Sequence, residues 1–159
     1  MRVWRLARRP HAALDGEGAR RYGGRWNSPG VPVVYSATTL SLAVLEYLTG
    51  TDSDLLPADL VQLEIDVPDA LRRTTIVPRD LPARWRTEPA LTRAEGDAWA
   101  AALATPLLLV PSVIIPGERN LLINPRHRSA RRVRTIDTQR FHFDARLLRR
   151  RTKGFKPHR

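Results

Sequence analysis

What most constrains the fold of this chain is the order of its apolar runs. Short stretches with the two-residue period of a strand are interleaved with two helical stretches, and the interleaving follows no regular strand–helix–strand repeat. Residues 1–7 alternate weakly and predict a first strand ending ahead of Arg8-Arg9-Pro10. LVQLEIDV, residues 60–67, predicts a second clear strand. Residues 107–110 and 113–115 predict short buried strands broken at Pro111-Ser112, and residues 121–123 predict another, stopped by Asn124-Pro125. Phe141 and Phe143 alternate in a last strand. Irregular mixing of this kind indicates an α+β fold, and 159 residues suit a single domain with a sizeable core.

Between the first strand and the next, residues 8–30 read as loop and hold five of the nine glycines. Asn27-Ser28-Pro29-Gly30 has the chemistry of a type II turn: Pro presets φ near −65° and Gly accepts a positive φ. Val31, Val33 and Tyr35 then share one strand face, with Val34 on the other. Thr38-Thr39-Leu40-Ser41 offers N-cap hydroxyls for a helix running to about Leu48, with Gly50 as its stop. Thr92-Arg93-Ala94-Glu95 has the pattern of a capping box and predicts a second helix that includes Trp99 and Leu103.

Composition excludes several classes. There is no cysteine, so disulfides and thiolate metal sites are ruled out, which fits a reducing cytoplasm. The four histidines have no close pair at helical ligand spacing, and no metal is expected. MRVWRLARRPH lacks the apolar core of a signal peptide, and no apolar run is long enough to span a bilayer. The net charge of +11 is confined to one end. Residues 1–125 carry 14 basic and 14 acidic side chains, while residues 126–159 carry 13 basic and 2 acidic ones.

A few residues could carry chemistry. Glu46 is a lone carboxylate on an apolar helix, either at the solvated edge of the buried stripe or held inside for a purpose. Arg25 offers a planar fork of donors that suits phosphate, and the neighbouring glycines let backbone N–H groups approach an anion. Gly-Gly-Arg-Trp is neither a dinucleotide-binding turn nor a Walker loop. Trp26 offers a stacking face or a core anchor, and Tyr35 is open to the same two readings. Arg5 sits mid-strand between Trp4 and Leu6, where a charge needs a partner or a sheet edge. Ser112 lies in an apolar run without the surroundings of an esterase nucleophile. Together these suit a nucleotide whose sugar bond is broken, since an oxocarbenium-like transition state is positive and is stabilised by a nearby carboxylate.

GGRWNSPGVPVVYSATTLSLAVLEYL (residues 23–48), LLLVPSVIIPGERNLLINPRH (residues 107–127) and FHFDARL (residues 141–147) resemble, in this order, the signature of the RES-domain family, toxins of RES–Xre toxin–antitoxin systems. The resemblance covers nearly all of residues 2–148. It implies an ADP-ribosyltransferase-like fold, a split and bent β-core with flanking helices. It also implies action on NAD⁺ as substrate, with no cofactor, by cleavage of the nicotinamide–ribose bond through hydrolysis or phosphorolysis. Transfer of ADP-ribose to a cellular protein is the alternative. Carried over residue by residue, the catalytic positions are Glu46, Arg5 and Ser112, and the NAD⁺-binding positions are Arg25, Trp26, Tyr35 and Asn124. The implied partner is an Xre-like antitoxin that covers the site. Residues 1–148 form the implied catalytic domain, and 149–159 a basic tail that extends beyond the usual end. A reading from another class remains: a nucleic-acid-binding module using that tail, for which the neutral body and few aromatics are unfavourable. A homo-oligomer is neither required nor excluded by the sequence.

Overall fold

The computed structural model describes residues 1–51 and 56–148. The strands are β1 (Arg2–Arg8), β2 (Val34–Ala37), β3 (Leu60–Asp66), β4 (Arg73–Thr75), β5 (Leu107–Pro111), β6 (Arg119–Ile123) and β7 (Arg134–Arg140). The helices are α1 (Glu17–Tyr22), α2 (Leu40–Thr49) and α3 (Pro89–Ala102). The strands form one sheet in the order β4-β5-β6-β2-β1-β3-β7, antiparallel except for the β4–β5 pair. This is the expected α+β class. Among the described residues no helix is long and apolar enough to cross a membrane.

The sheet is uneven in a way that matters for the site. β1 pairs with β3 along its whole length, from Arg2↔Asp66 to Arg8↔Leu60. β2 pairs with β6 from Val34↔Ile123 to Ala37↔Asn120. Between these two half-sheets, β1 and β2 share a single register pair, Trp4↔Ala37. Beyond it the strands part, and the sheet opens as a fork.

Apolar side chains cover both faces. Val3 and Ala7 of β1 join Val34, Leu63, Leu107 and Leu121 in one cluster. On the opposite face Leu6 packs with Ala37 and with Leu42 and Ala43 of α2. A third cluster gathers Trp26, Trp85 and Trp99 around Leu108, Val110 and Leu122. β5 contributes to both faces, and all five of its residues are buried, so it shows no polar alternation. Val33 and Tyr35 lie with the tryptophans and Val34 with the first cluster, as the strand alternation predicts.

α2 follows its sequence signals closely. The Thr39 hydroxyl caps it by accepting from the Leu42 N–H at 3.1 Å, and Gly50 closes it. The turn at Ser28 is also as expected, with Val31 N–H donating to the Ser28 carbonyl and Gly30 at φ 97°.

Five details differ from expectation. Within residues 8–30 a short helix forms, α1, with Arg20 and Arg21 both bridging Glu17 at 2.7 Å; it buries no residue and so leaves no apolar stripe to read. α3 begins at Pro89, three residues ahead of Thr92, because Pro at the first helical position supplies the start. It also ends at Ala102, with Leu103 as the left-handed cap at φ 50°. Residues 113–115 are not a strand, since Ser112 Oγ accepts from the N–H groups of Ile114 and Ile115 and bends the chain. The last strand is the polar β7, whereas Phe141 and Phe143 lie beyond it, edge to face at 5.0 Å, with Phe143 against Tyr47 of α2. The basic tail, residues 149–159, lies outside the described residues.

Candidate active site

The cleft occupies the fork. A cavity of about 540 Å³ is bounded by Trp4, Arg5 and Leu6 on the β1 side and by Tyr35, Ser36 and Ala37 on the β2 side. Gly23, Gly24 and Arg25 form one rim, Glu46 and Tyr47 of α2 another, and Asn120 of β6 reaches it as well. A cavity of this size accepts a ligand as large as a dinucleotide or its parts. A smaller neighbour of about 210 Å³, walled by Trp26, Pro111, Val113 and Ile114, shares Arg25, Tyr35, Glu46 and Asn120 with it.

Glu46 is the centre of the arrangement. Its Oε1 accepts from Ser112 Oγ at 3.0 Å and from Asn120 Nδ2 at 2.6 Å. Glu46 is half-buried at the wall of the cleft, and two side-chain donors hold its carboxylate in place there. Ser112 itself is buried, lines neither cavity, and meets the site only through Glu46.

The arginine and tyrosine converge on the same space. Arg25 lines both cavities and donates from one guanidinium nitrogen to the Arg86 carbonyl. Burial pushes its pKa down, the nearby Glu46 charge offsets only part of this, and Arg93 lowers it further. Tyr35 donates to Asn27 Oδ1 at 2.7 Å and accepts from the Trp26 N–H at 2.9 Å. Burial raises its pKa far above the usual phenol range, so it works as a neutral face and a loop anchor. Arg5 borders the cleft and donates to the carbonyls of Ala13 at 3.0 Å and His11 at 3.4 Å, tying the segment ahead of α1 to β1. Burial lowers its pKa and Asp15 partly restores it.

The Gly-Gly-Arg-Trp loop is shaped from a distance by α3. Thr92 Oγ1 donates to the Arg25 carbonyl at 2.7 Å, Arg93 Nε to the Gly24 carbonyl at 2.9 Å, and Asp97 accepts from the Ser28 N–H at 2.9 Å. Gly96 permits the approach: a Cβ there would stand 1.8 Å from the Trp26 carbonyl oxygen. Gly24 is likewise required, since its Cβ would lie 2.5 Å from the Tyr35 hydroxyl.

Three of the residues carried over from the resemblance lie outside the larger cavity: Ser112, Trp26 and Asn124. Trp26 is buried in the tryptophan cluster, where it braces the loop, and it borders only the smaller cavity. Asn124 is buried at the end of β6, donates to the Ala100 carbonyl at 2.9 Å and accepts from the Arg126 N–H at 3.0 Å. It lines neither cavity, because its amide is used to close a turn and hold the end of α3. Asn120 was missed; its signal was its place at the start of an apolar strand, where a half-buried polar side chain needs a partner. Arg126, Arg128, Arg131, Arg132, Arg134 and Arg140 are exposed and outside the cleft. Among the described residues no cluster of three His, Cys, Asp or Glu could hold a metal.

A forked sheet that clasps a cleft, with an anchored carboxylate sharing the cavity with an arginine and a half-buried tyrosine, defines an α+β domain with its cleft between two half-sheets. The chain belongs to the RES domain family, whose model matches residues 2–144. It is 42% identical over 154 residues to the Prs ADP-ribosylating toxin of Sphingobium sp. (strain YBL2), covering 92% of this chain and 96% of that protein. It is 38% identical over 154 residues to Toxin Res of Yersinia enterocolitica, covering 92% and 99% respectively. Its fold is shared, at a TM-score of 0.72 and 22% identity, by a chain in the crystal structure of the M. tuberculosis MbcT–MbcA toxin–antitoxin complex, over 92% of this chain and 86% of that one.

Proposed function

We propose that this chain is the toxin of a toxin–antitoxin pair and that its cleft consumes NAD⁺ by breaking the nicotinamide–ribose bond. The observation that carries the reading is the anchored Glu46 carboxylate in the same cavity as Arg25 and Tyr35. In this reading Arg25 meets the pyrophosphate, which its planar fork suits. Tyr35 packs near the nicotinamide, and Glu46 faces the ribose. As the bond from the ribose C1′ to the ring nitrogen breaks, its electron pair passes to the pyridine ring, which leaves as neutral nicotinamide. No strong general acid is needed. The positive charge that grows on the sugar is stabilised by Glu46 more than the ground state is, which raises kcat. No cofactor beyond the substrate enters this scheme.

Hydrolysis, phosphorolysis and transfer to a protein share that cationic sugar and differ in the acceptor. The name of the Sphingobium relative favours transfer to a protein as the second reading. The partner is an antitoxin, of the Xre-like class in this reading, that covers the cleft; the fold shared with a chain of a toxin–antitoxin complex supports it. The test is incubation of the partner-free protein with NAD⁺, with and without phosphate and with a cell extract, identifying every product. Free ADP-ribose, its phosphorylated counterpart or a modified protein assigns the acceptor. Absence of released nicotinamide in all three mixtures refutes the reading.

A further inference from the structure

We propose that Asn120 is a positioning residue that, with Ser112, pins one oxygen of Glu46 so that the other is presented to the substrate sugar. The inference rests on the reading of Glu46 given above. Both donors choose the same atom: Asn120 Nδ2 lies 2.6 Å and Ser112 Oγ 3.0 Å from Oε1. Among the described residues Oε2 has no hydrogen-bond donor. A carboxylate bound this way cannot rotate freely without losing two bonds, and Oε2 keeps its lone pairs for a ligand.

The two donors are themselves fixed. Ser112 Oγ accepts from the N–H groups of Ile114 and Ile115, each at 3.1 Å. Its lone pairs are thereby used, and its one proton is left for Glu46. Asn120 stands opposite Ala37 of β2 and Val110 of β5 in the sheet, and Ala37 stands opposite Trp4 of β1. It therefore belongs to the row of backbone pairs that crosses six strands, from β5 to β7, at the point where the fork begins. Its amide must turn nitrogen toward Glu46, because an ionised carboxylate only accepts. Asn120 also borders both cavities, so a shift of its side chain is felt where the ligand sits.

The role differs from a packing role in one measurable respect: it needs a proton donor at this position. Asn120→Asp preserves the shape but replaces the donor with a carboxyl. Two carboxyl groups at hydrogen-bond distance hold one proton between them only when the pH is low enough, and the introduced group donates only then. Nicotinamide release from NAD⁺ is measured for wild type, Asn120→Asp and Asn120→Ala from about pH 5 to pH 8, with a melting profile at each pH. Asn120→Ala is expected to lose about 10–100-fold in kcat with KM within about threefold of wild type. Asn120→Asp is expected to be at least as impaired at pH 8, and its deficit relative to wild type is expected to shrink about tenfold or more toward pH 5. A deficit constant across pH, or kcat of Asn120→Ala within about twofold of wild type, overturns the proposal. If Asn120→Asp does not fold, Asn120→Ala decides: loss in kcat supports the role, and loss confined to KM overturns it. Wild-type protein without nicotinamide release refutes the parent reading instead. Asn120 is then judged on growth arrest by expressed, folded Asn120→Ala: abolished arrest supports the positioning role, and undiminished arrest overturns it.

Discussion

Replacing Gly96 with alanine sets two effects of known size against each other. Gly96 lies inside α3, and in an exposed helix interior alanine is favoured over glycine by about 1 kcal/mol. Here the new methyl would stand 1.8 Å from the Trp26 carbonyl oxygen and 2.8 Å from its carbon. Ordinary contact begins near 3.4 Å, so helix and loop must separate by more than an ångström, and the obstacle is backbone with no rotamer to escape into. Overpacking of this kind costs about 1–3 kcal/mol. Separation also stretches the bonds from Thr92 to Arg25, from Arg93 to Gly24 and from Ser28 to Asp97, each worth about 0.5–1.5 kcal/mol. With the three bonds weakened and not lost outright, the balance after the helix-propensity gain is a net destabilisation of about 2–4 kcal/mol. At about 2–4 °C per kcal/mol for a domain of this size, Tm falls by roughly 4–16 °C. The control is Gly18→Ala in α1, where a Cβ meets nothing within 4 Å. That variant gains about 0.5 kcal/mol. Thermal and urea melts of the two variants measure both. Gly96→Ala as stable as wild type would refute the argument that close approach of α3 to the loop fixes Arg25.

Three further outcomes follow from the site and its surroundings. Glu46→Gln keeps its size but loses its charge, and turnover of NAD⁺ is expected to fall about 10²–10³-fold with an unchanged melting profile; turnover within a few-fold of wild type rejects the catalytic role. Arg25→Lys turns a planar fork into a point charge, so KM for NAD⁺ is expected to rise, and unchanged steady-state constants would show that Arg25 does not meet the phosphates. Glu17, bridged by Arg20 and Arg21, has its pKa lowered by those bonds from 4.5 to about 2. Its contribution to stability is thus present above pH 4.5 and lost as pH falls toward about 2. Glu17→Gln should be less stable than wild type at neutral pH and indistinguishable from it at the acid end, as read by urea melts; a difference that persists at low pH contradicts the ion-pair origin.

The parts of the fold legible in the sequence were those whose signals are local. α2 announced itself through Thr39 and Gly50, the turn at Ser28 through Pro29 and Gly30, and β3 through its alternation. β7 was not legible, because its seven residues are all exposed and its strand conformation comes from the ladder to β3 alone. α1 buries nothing and so shows no stripe. At the site, Arg25, Tyr35 and Glu46 were identified and the structure gathers them. The two asparagines of β6 and its end show where the reading ran out. Asn120 and Asn124 are four residues apart and would share a face of a continuing strand. The strand stops at Ile123, however, and only Asn120 reaches the cleft.

The single Trp4↔Ala37 register pair leaves the backbone ladder thinnest where the cleft opens. In backbone pairing, one arm of the sheet, β1 with β3 and β7, meets the other arm, β2 with β6, β5 and β4, through a joint one residue pair wide, and apolar packing carries the rest of the contact. A ligand lodged in the cleft touches both arms at once and acts as a cross-brace where the ladder is missing. Binding there would stabilise the folded state, and resistance to unfolding would rise with ligand concentration by mass action. A molecule that closes the mouth of the cleft from outside would brace the same joint.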